Sequence, residues 1–440
     1  MSTTEVATNV TNTTNLGKGR AAPGAPAVAG TETVPPAEGP GLVDYGREYI
    51  SKVRGGDMGA LPAILGLLVL CVAFAILRSR FVSAINFANL FTQGAAVTVI
   101  AMGLVFVLLL GEIDLSAGFA SGVCAAVMAM LTAEHGQAWW VSILAGLGTG
   151  IAIGLVLGFL VAKVGIPSFV VTLAAFLAFQ GTVLLIIGNG GNISIRDDTI
   201  VAISNKNLPP YGGWILFAVV VVGFGASQLL RSIGRRREGL QADPLTVIGV
   251  RTGGLAVLAG LAVYALNMER SRTAIVSLKG VPIVIPIILV LVVVGTYVLN
   301  RTSYGRHIYA VGGNAEAARR AGINVVRIRI SCFVICSAMA AVGGIIAASR
   351  ATSVDPNAGG SNTLLYAVGA AVIGGTSLFG GKGRIIDAVL GGAVVAVIDN
   401  GMGLMGYSAG VKFIVTGCVL ALAAGVDALS RKRAASTGRI

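Results

Sequence analysis

Twelve stretches of almost unbroken apolar sequence, separated by short polar connections, dominate the chain from residue 60 onwards. They lie near 60–77, 94–110, 116–132, 140–162, 168–188, 213–230, 252–268, 281–299, 329–348, 363–379, 385–405 and 411–429. An α-helix needs roughly 20 residues to cross a hydrocarbon layer about 30 Å thick, and each run is near that length. Strands of a membrane barrel alternate apolar and polar positions over about ten residues; these runs do not alternate. The pattern predicts an all-α polytopic membrane protein with about twelve transmembrane helices. Its register is least clear between 78 and 116. Arg78 and Arg80 follow the first run, and Phe81 to Gln93 reads as neither loop nor span, as an interfacial or re-entrant piece would.

Residues 1–45 hold Thr, Ala, Pro, Gly and Asn with hardly any large apolar group, too little to offset the entropy of ordering, so a disordered tail is expected. The start has neither the basic nor the apolar region of a signal peptide. Residues 46–430 form the expected transmembrane domain and 431–440 a short second tail.

With 55 % hydrophobic and 12 % charged residues, the composition excludes an ordinary soluble globule, whose charged share is about twice this. A net charge of +13 would fit a nucleic-acid ligand, but the basic residues sit in connections at the ends of apolar runs. Membrane topology explains them better, because short loops rich in Lys and Arg stay on the cytoplasmic side during insertion. Arg47, Lys52 and Arg54 before the first run and Arg431, Lys432 and Arg433 after the last place both termini inside. The Arg231, Arg235, Arg236 and Arg237 cluster and the Lys382 and Arg384 pair also fall inside, while Glu134, His135, Asp197, Asp198 and Asp355 fall outside. All five Cys lie in apolar runs, where Cys behaves as a small hydrophobe. Cys332 and Cys336 share a helix face, yet with two His in the chain no metal site is expected.

One connection stands out, the Gly-punctuated basic segment 301–328. Asn314 is placed to cap a short helix, Ala315 to Ala321, with Glu316 in its first turn, Arg319 and Arg320 in its last, and Gly322 as its stop. Such a part is either built to touch something or is a tidy cytoplasmic connection, and the physics alone does not separate the two.

Charged and amide groups inside apolar runs cost about 2.5 to 3.5 kcal/mol each for the charged ones, so they face a cavity or a partner. Glu112, Asp114 and Ser116, in the turn between the second and third runs, either meet a hydroxylated solute or brace the core, with Ser116 alone readable as a helix N-cap. Asp399 and Asn400 either line a path or bond across to another helix; Gln180, with Asn189 and Asn192, reads as an outer-end cap. The string Gly374 to Gly383 looks like a phosphate loop but has Thr376 where a Gly is required and Gly383 where Ser or Thr should follow Lys382. It is expected to be a Gly-hinged turn.

Five ordered motifs, GEIDLSAG (111–118), PSFVVTLAAFLAFQG (167–181), YGRHIYAVGGNAEAARRAGINV (304–325), AVIGGTSLFGGKGRI (371–385) and DNGM (399–402), resemble the permease subunits of bacterial ABC sugar importers of the ribose, xylose and galactose type. Glu112, the string GLQADP (239–244) and the apolar pair 213–268 look most like the xylose branch. The resemblance implies a ten-helix permease core with 213–268 as an inserted helical hairpin, in the bacterial cytoplasmic membrane. It implies a second permease copy, two separate ATPase subunits that use ATP and Mg²⁺, and an extracytoplasmic sugar-binding protein. Membrane lipid surrounds the chain, and no nucleic acid and no cofactor is bound by it. Carried over by motif, Gly305, Gly312, Gly313, Asn314, Glu316, Arg319 and Gly322 would couple to the ATPase. Glu112, Asp114, Ser116, Gln180, Asp399 and Asn400 are the candidates for the translocation path or polar core. No nucleophile with its base is visible, so no enzyme is expected; the alternative is a proton-coupled secondary sugar transporter.

Overall fold

The computed structural model describes residues 47, 51, 59–188, 191–271 and 277–436. The expected tail 1–45, Lys52, Arg54 and Asn189 lie outside the described residues. Among the described residues, the chain forms α1 (Leu61–Leu77), α2 (Ala84–Leu109), α3 (Ala117–Ala133), α4 (Trp139–Phe159) and α5 (Ser168–Ile187). After a two-residue strand, β1 (Ile193–Ser194), come α6 (Asp198–Asn205), α7 (Pro210–Arg237), α8 (Leu245–Asn267), α9 (Val284–Arg301), α10 (Ser303–Gly313) and α11 (Ala315–Arg320). The chain closes with α12 (Val325–Ala351), β2 (Ser353–Val354), α13 (Ser361–Gly374), α14 (Ile385–Leu404) and α15 (Ala409–Ser436).

Eight of these helices are long and apolar enough to cross a membrane, and α1, α3, α13 and α15 supply four shorter apolar segments. All twelve apolar runs of the sequence are therefore helices, and the protein is an all-α polytopic membrane protein. The uncertain stretch is resolved in favour of helix: Phe81 to Gln93 is no separate piece, because α2 begins at Ala84, capped by Ser83, whose hydroxyl accepts from the Asn86 amide. Likewise α7 runs on through Arg237, so Arg231, Arg235, Arg236 and Arg237 occupy its last turns rather than a loop. The expected C-terminal tail begins as the last turns of α15.

Burial separates two groups of helices. Along α2, α12 and α14 most of the apolar length is enclosed by protein. α12 packs on α4, α2 and α3, and α14 packs on α13 and α2. By contrast, α7, α8 and α9 expose nearly all of theirs; a surface so apolar is suited to lipid. α7 and α8 pair mainly with each other.

Close packing without a hydrophobic force between helices needs small residues at the crossings. A Cβ on Gly391 of α14 would stand 1.7 Å from the Ala370 carbonyl oxygen of α13, and one on Gly122 of α3 2.0 Å from that of Ala358. The second contact matters for the topology. α3 and α13 are short for a full crossing, and the segment before α13, 355–360, lies against Gly118 and Gly122 in the first turns of α3. At the far end, β1 pairs antiparallel with β2. There α6 covers the end of α12: Ser204 donates through its amide to Ser349 Oγ (3.0 Å) and through its hydroxyl to the Ile346 carbonyl (3.0 Å).

Gly391→Ala is expected to destabilise the protein by about 1–3 kcal/mol, the usual cost of overpacking against unyielding backbone. Gly181→Ala, at a helical position with open space around it, should be neutral or stabilising by up to about 1 kcal/mol. Thermal unfolding of the two variants in one detergent checks the contrast.

Candidate coupling site

Three of the sequence motifs meet at one end of the bundle. The turn 110–116 joins α2 to α3, helices α10 and α11 bridge α9 to α12, and the Gly-rich turn 375–384 joins α13 to α14. Gly312, in α10, lies so close to the end of α2 that a Cβ would stand 1.8 Å from the Leu109 carbonyl oxygen, and the same oxygen accepts from the Gly381 amide at 2.9 Å. A side chain at 312 would wedge the three segments apart. Tyr309, one turn earlier, donates its hydroxyl to the Gly383 carbonyl (2.7 Å). Tyr304 pairs with Ser331 of α12 (2.7 Å).

The short helix forms as its sequence requires. Asn314 Oδ1 accepts from the Ala317 amide (2.9 Å), and Gly322 takes φ +84°, a left-handed value that a glycine meets without strain. It ends at Arg320, one residue earlier than expected. Ala318 is buried against the bundle while Glu316, Arg319 and Arg320 point away from it. Glu316 holds Arg319 at 2.6 Å and Arg320 at 3.5 Å, pairs that are more than half exposed and worth little to stability. Gly313 is exposed, and Gly305 packs under the end of α9, where a Cβ would meet the Leu299 carbonyl. What the sequence did not announce is α10, a full helix ahead of the short one, capped by Thr302, which accepts from the Gly305 amide (3.1 Å).

The turn 110–116 carries the acidic residues, and their partners are protein. Glu112 forms an ion pair with Arg329 of α12 (3.3 Å), with side chains 15 % and 30 % exposed. The Ile113 amide donates to Ser168 Oγ (3.4 Å), and its carbonyl accepts from the Thr172 hydroxyl (3.2 Å), both on α5. Asp114 is fully buried. Its Oδ1 accepts from the Ser116 amide (2.9 Å) and hydroxyl (2.6 Å), and the Cys336 thiol of α12 lies against the carboxyl. Ser116 thus stands at the N-cap position of α3 without capping it, a correction to that reading: its hydroxyl is spent on Asp114.

The remaining candidates lie elsewhere. Asn400 makes a reciprocal amide pair with Asn86 of α2 (2.9 Å each way) and donates to Gln93 (2.9 Å), bonding across helices. Asp399 pairs with Lys412 of α15 (3.1 Å). Gln180 sits half-buried within α5, two turns from its end, so it caps nothing. The Gly-rich turn is no phosphate loop: Gly375, Gly380 and Gly381 take positive φ, and Asp387 of α14 binds the Arg384 amide (2.8 Å) and guanidinium (2.8 Å). Among the described residues, no group of His, Cys, Asp and Glu is arranged to hold a metal. Sequence reasoning missed Arg329, Tyr309, Asp387, Ser168 and Thr172 as site residues. Only their presence inside or beside the five motifs marked them.

Residues 86–424 match the family described as "Branched-chain amino acid transport system / permease component", and the chain belongs to that family of ABC transporter permeases. It is 36 % identical over 353 residues to the xylose transport system permease protein XylH of Escherichia coli, which covers 80 % of this chain and 87 % of the relative. It is 31 % identical over 382 residues to the ribose import permease protein RbsC of Escherichia coli, covering 87 % and 97 %. Against the fructose import permease protein FrcC of Rhizobium meliloti the identity is 29 % over 376 residues, covering 86 % and 87 %. No solved structure matches the chain.

The Glu112 and Arg329 pair yields a quantitative expectation. In a double-mutant cycle of Glu112→Gln and Arg329→Gln, read by thermal unfolding, the coupling energy should be about 1–3 kcal/mol. A value near zero would mean that the pair does not tie the turn to α12.

Proposed function

We propose that this chain is the translocating subunit of an ATP-driven importer for a monosaccharide, D-xylose in the first instance, and that α10 and α11 are its coupling platform. One observation carries the reading: three motifs far apart in sequence converge on α10, which runs straight into a short capped helix, α11, whose Glu316, Arg319 and Arg320 face away from the bundle. A helix buried on one side and charged on the other, continuous with a helix tied to two turns that each lead into buried spans, is a suitable handle for a motor subunit. Similarity to permeases of xylose, ribose and fructose supports the sugar class, with the xylose proteins among the relatives of higher identity.

In this reading the platform end faces the cytoplasm, as the arginines of 301–329 and of the end of α7 favour. Two copies of the chain enclose the path, two ATPase subunits hydrolyse ATP with Mg²⁺ inside, and a binding protein delivers sugar outside. The chain itself makes and breaks no covalent bond. Closure of the ATPase pair pushes on α11. Gly312 against Leu109, Tyr309 against Gly383, and Glu112 against Arg329 pass the displacement to α2, α3, α12 and α14. Glu112, Asp114 and Ser116 act here as braces of the moving core, because Glu112 Oε1, Asp114 Oδ1 and the Ser116 hydroxyl are already engaged by protein.

Charge reversal on the platform tests this. Glu316→Arg and Arg319→Glu should leave thermal stability within about 1 kcal/mol of the parent, since exposed pairs contribute little, while ATP hydrolysis continues and uptake in proteoliposomes fails. Wild-type coupling in both variants would contradict the assignment. Sugar flux through the chain without any ATPase would favour a secondary transporter instead.

A further inference from the structure

The end of α7 on the platform's side of the bundle is strongly basic. α7 and α9 start side by side, where the Leu208 amide donates to the Val281 carbonyl (2.7 Å), and α9 leads into α10. Arg237, at the other end of α7, therefore lies at the platform end. Arg231, Arg235, Arg236 and Arg237 are all exposed there. From residue 231 to 251, five arginines stand against two acids, Glu238 and Asp243, and Asp243 pairs with Arg251 of α8 (3.1 Å).

Two helices fix the depth of these arginines independently. Trp214 near the start of α7 and Tyr264 near the end of α8 are exposed, and such rings settle at the headgroup level of a membrane. From Trp214 to Arg235 the helix rises about 32 Å, and from Leu245 to Tyr264 about 28 Å, at 1.5 Å per residue. Both distances match a hydrocarbon layer about 30 Å thick. Arg235, Arg236 and Arg237 therefore emerge at the opposite phosphate level. Arg231, one turn earlier on the face of Arg235, reaches that level by extending its side chain along the helix. Leu229, Leu230 and Ile233 of α7 and Val250 of α8 form an exposed apolar collar beside them.

Charges that only set topology would serve as well in a flexible connection. Here they ride on the last two turns of a helix, and the connection beyond is tied back to it, the Ser232 hydroxyl donating to the Asp243 carbonyl (3.0 Å). An occupant of this face must offer acyl chains to the collar and negative charge to the guanidiniums at once. We propose that the end of α7 is a headgroup site for anionic phospholipid, in which Arg231, Arg235, Arg236 and Arg237 donate to phosphate oxygens while Leu229, Leu230 and Ile233 meet the acyl chains. Val263 and Leu266 of α8 pack with Val281 and with Ala88 of α2 near the other end of the hairpin. The lipid pins the end farthest from that contact, whatever solute the chain carries.

The test is native mass spectrometry of the full chain in detergent, with phosphatidylglycerol or phosphatidylcholine added at equal concentration. The parent should retain phosphatidylglycerol at least about tenfold better, since each arginine near an anionic surface is worth about fivefold in binding. Combining Arg235→Gln, Arg236→Gln and Arg237→Gln should abolish most of that preference, and Arg196→Gln, an exposed arginine at the opposite end, should keep it. Should the triple variant fail to fold, Arg235→Gln and Arg236→Gln alone carry the test, each weakening phosphatidylglycerol binding about fivefold. Equal retention of the two lipids by the parent overturns the site, as does an unchanged preference in the arginine variants. Complete displacement of the lipid by millimolar inorganic phosphate overturns it too, because the ligand would then be a free anion. So does loss of ATPase binding in the triple variant with its lipid preference intact, which would make the face a protein interface.

Discussion

Backbone that leaves the helical path inside a bilayer must have its amides and carbonyls satisfied by protein, since lipid offers no partner. The turn 110–116 is where that constraint bears hardest. Asp114 reaches Cys336, eleven residues beyond the start of α12, or about 16 Å along it at 1.5 Å per residue. At that depth the turn is held from three sides: α5 through Ser168 and Thr172, α12 through Arg329, and its own Ser116 through the buried carboxylate. Remove any one side and a polar group of the turn loses its partner. The break between α2 and α3 is therefore fixed, and it fixes the end of α2 on which α10 rests.

The same economy of small residues recurs wherever segments cross. Gly312 admits the end of α2, Gly391 admits α13, and Gly122 admits the segment before α13. Each contact is backbone against backbone, with no flexible side chain to absorb a shift. Displacement of one segment is then passed to the next with little loss, a mechanical property that a sealed leucine core with adaptable rotamers would share less. The exposed helices α7, α8 and α9 stand outside this network. They widen the bundle without tightening it.

Much of this was legible in the sequence because membrane helices follow from a single property, the length of an apolar run. Every one of the twelve runs became a helix, and the capped helix after Asn314 was visible from its Asn, Glu, Arg and Gly alone. Boundaries were missed where apolar and polar signals overlap. Asn86, Asn89 and Gln93 interrupt the apolar signal at the start of α2, so that it read as neither loop nor span, yet Asn86 and Gln93 are turned inward to Asn400. α10 escaped notice because its Gly and Arg content masks an amphipathic pattern that ends in buried Ile308 and Val311. Partners such as Arg329 for Glu112, or Lys412 for Asp399, were out of reach, because no local spacing encodes a contact over 200 residues, or even one between two neighbouring helices.

Function follows from which side of the membrane the platform faces and what rests on it. Ala317, exposed on α11 between the paired charges, reports both at once. The decisive measurement is labelling of Ala317→Cys, in a Cys418→Ser background, with a membrane-impermeant maleimide. The account predicts labelling in inside-out vesicles stripped of ATPase, protection when the ATPase is restored, and none in intact cells. Labelling in intact cells would contradict it.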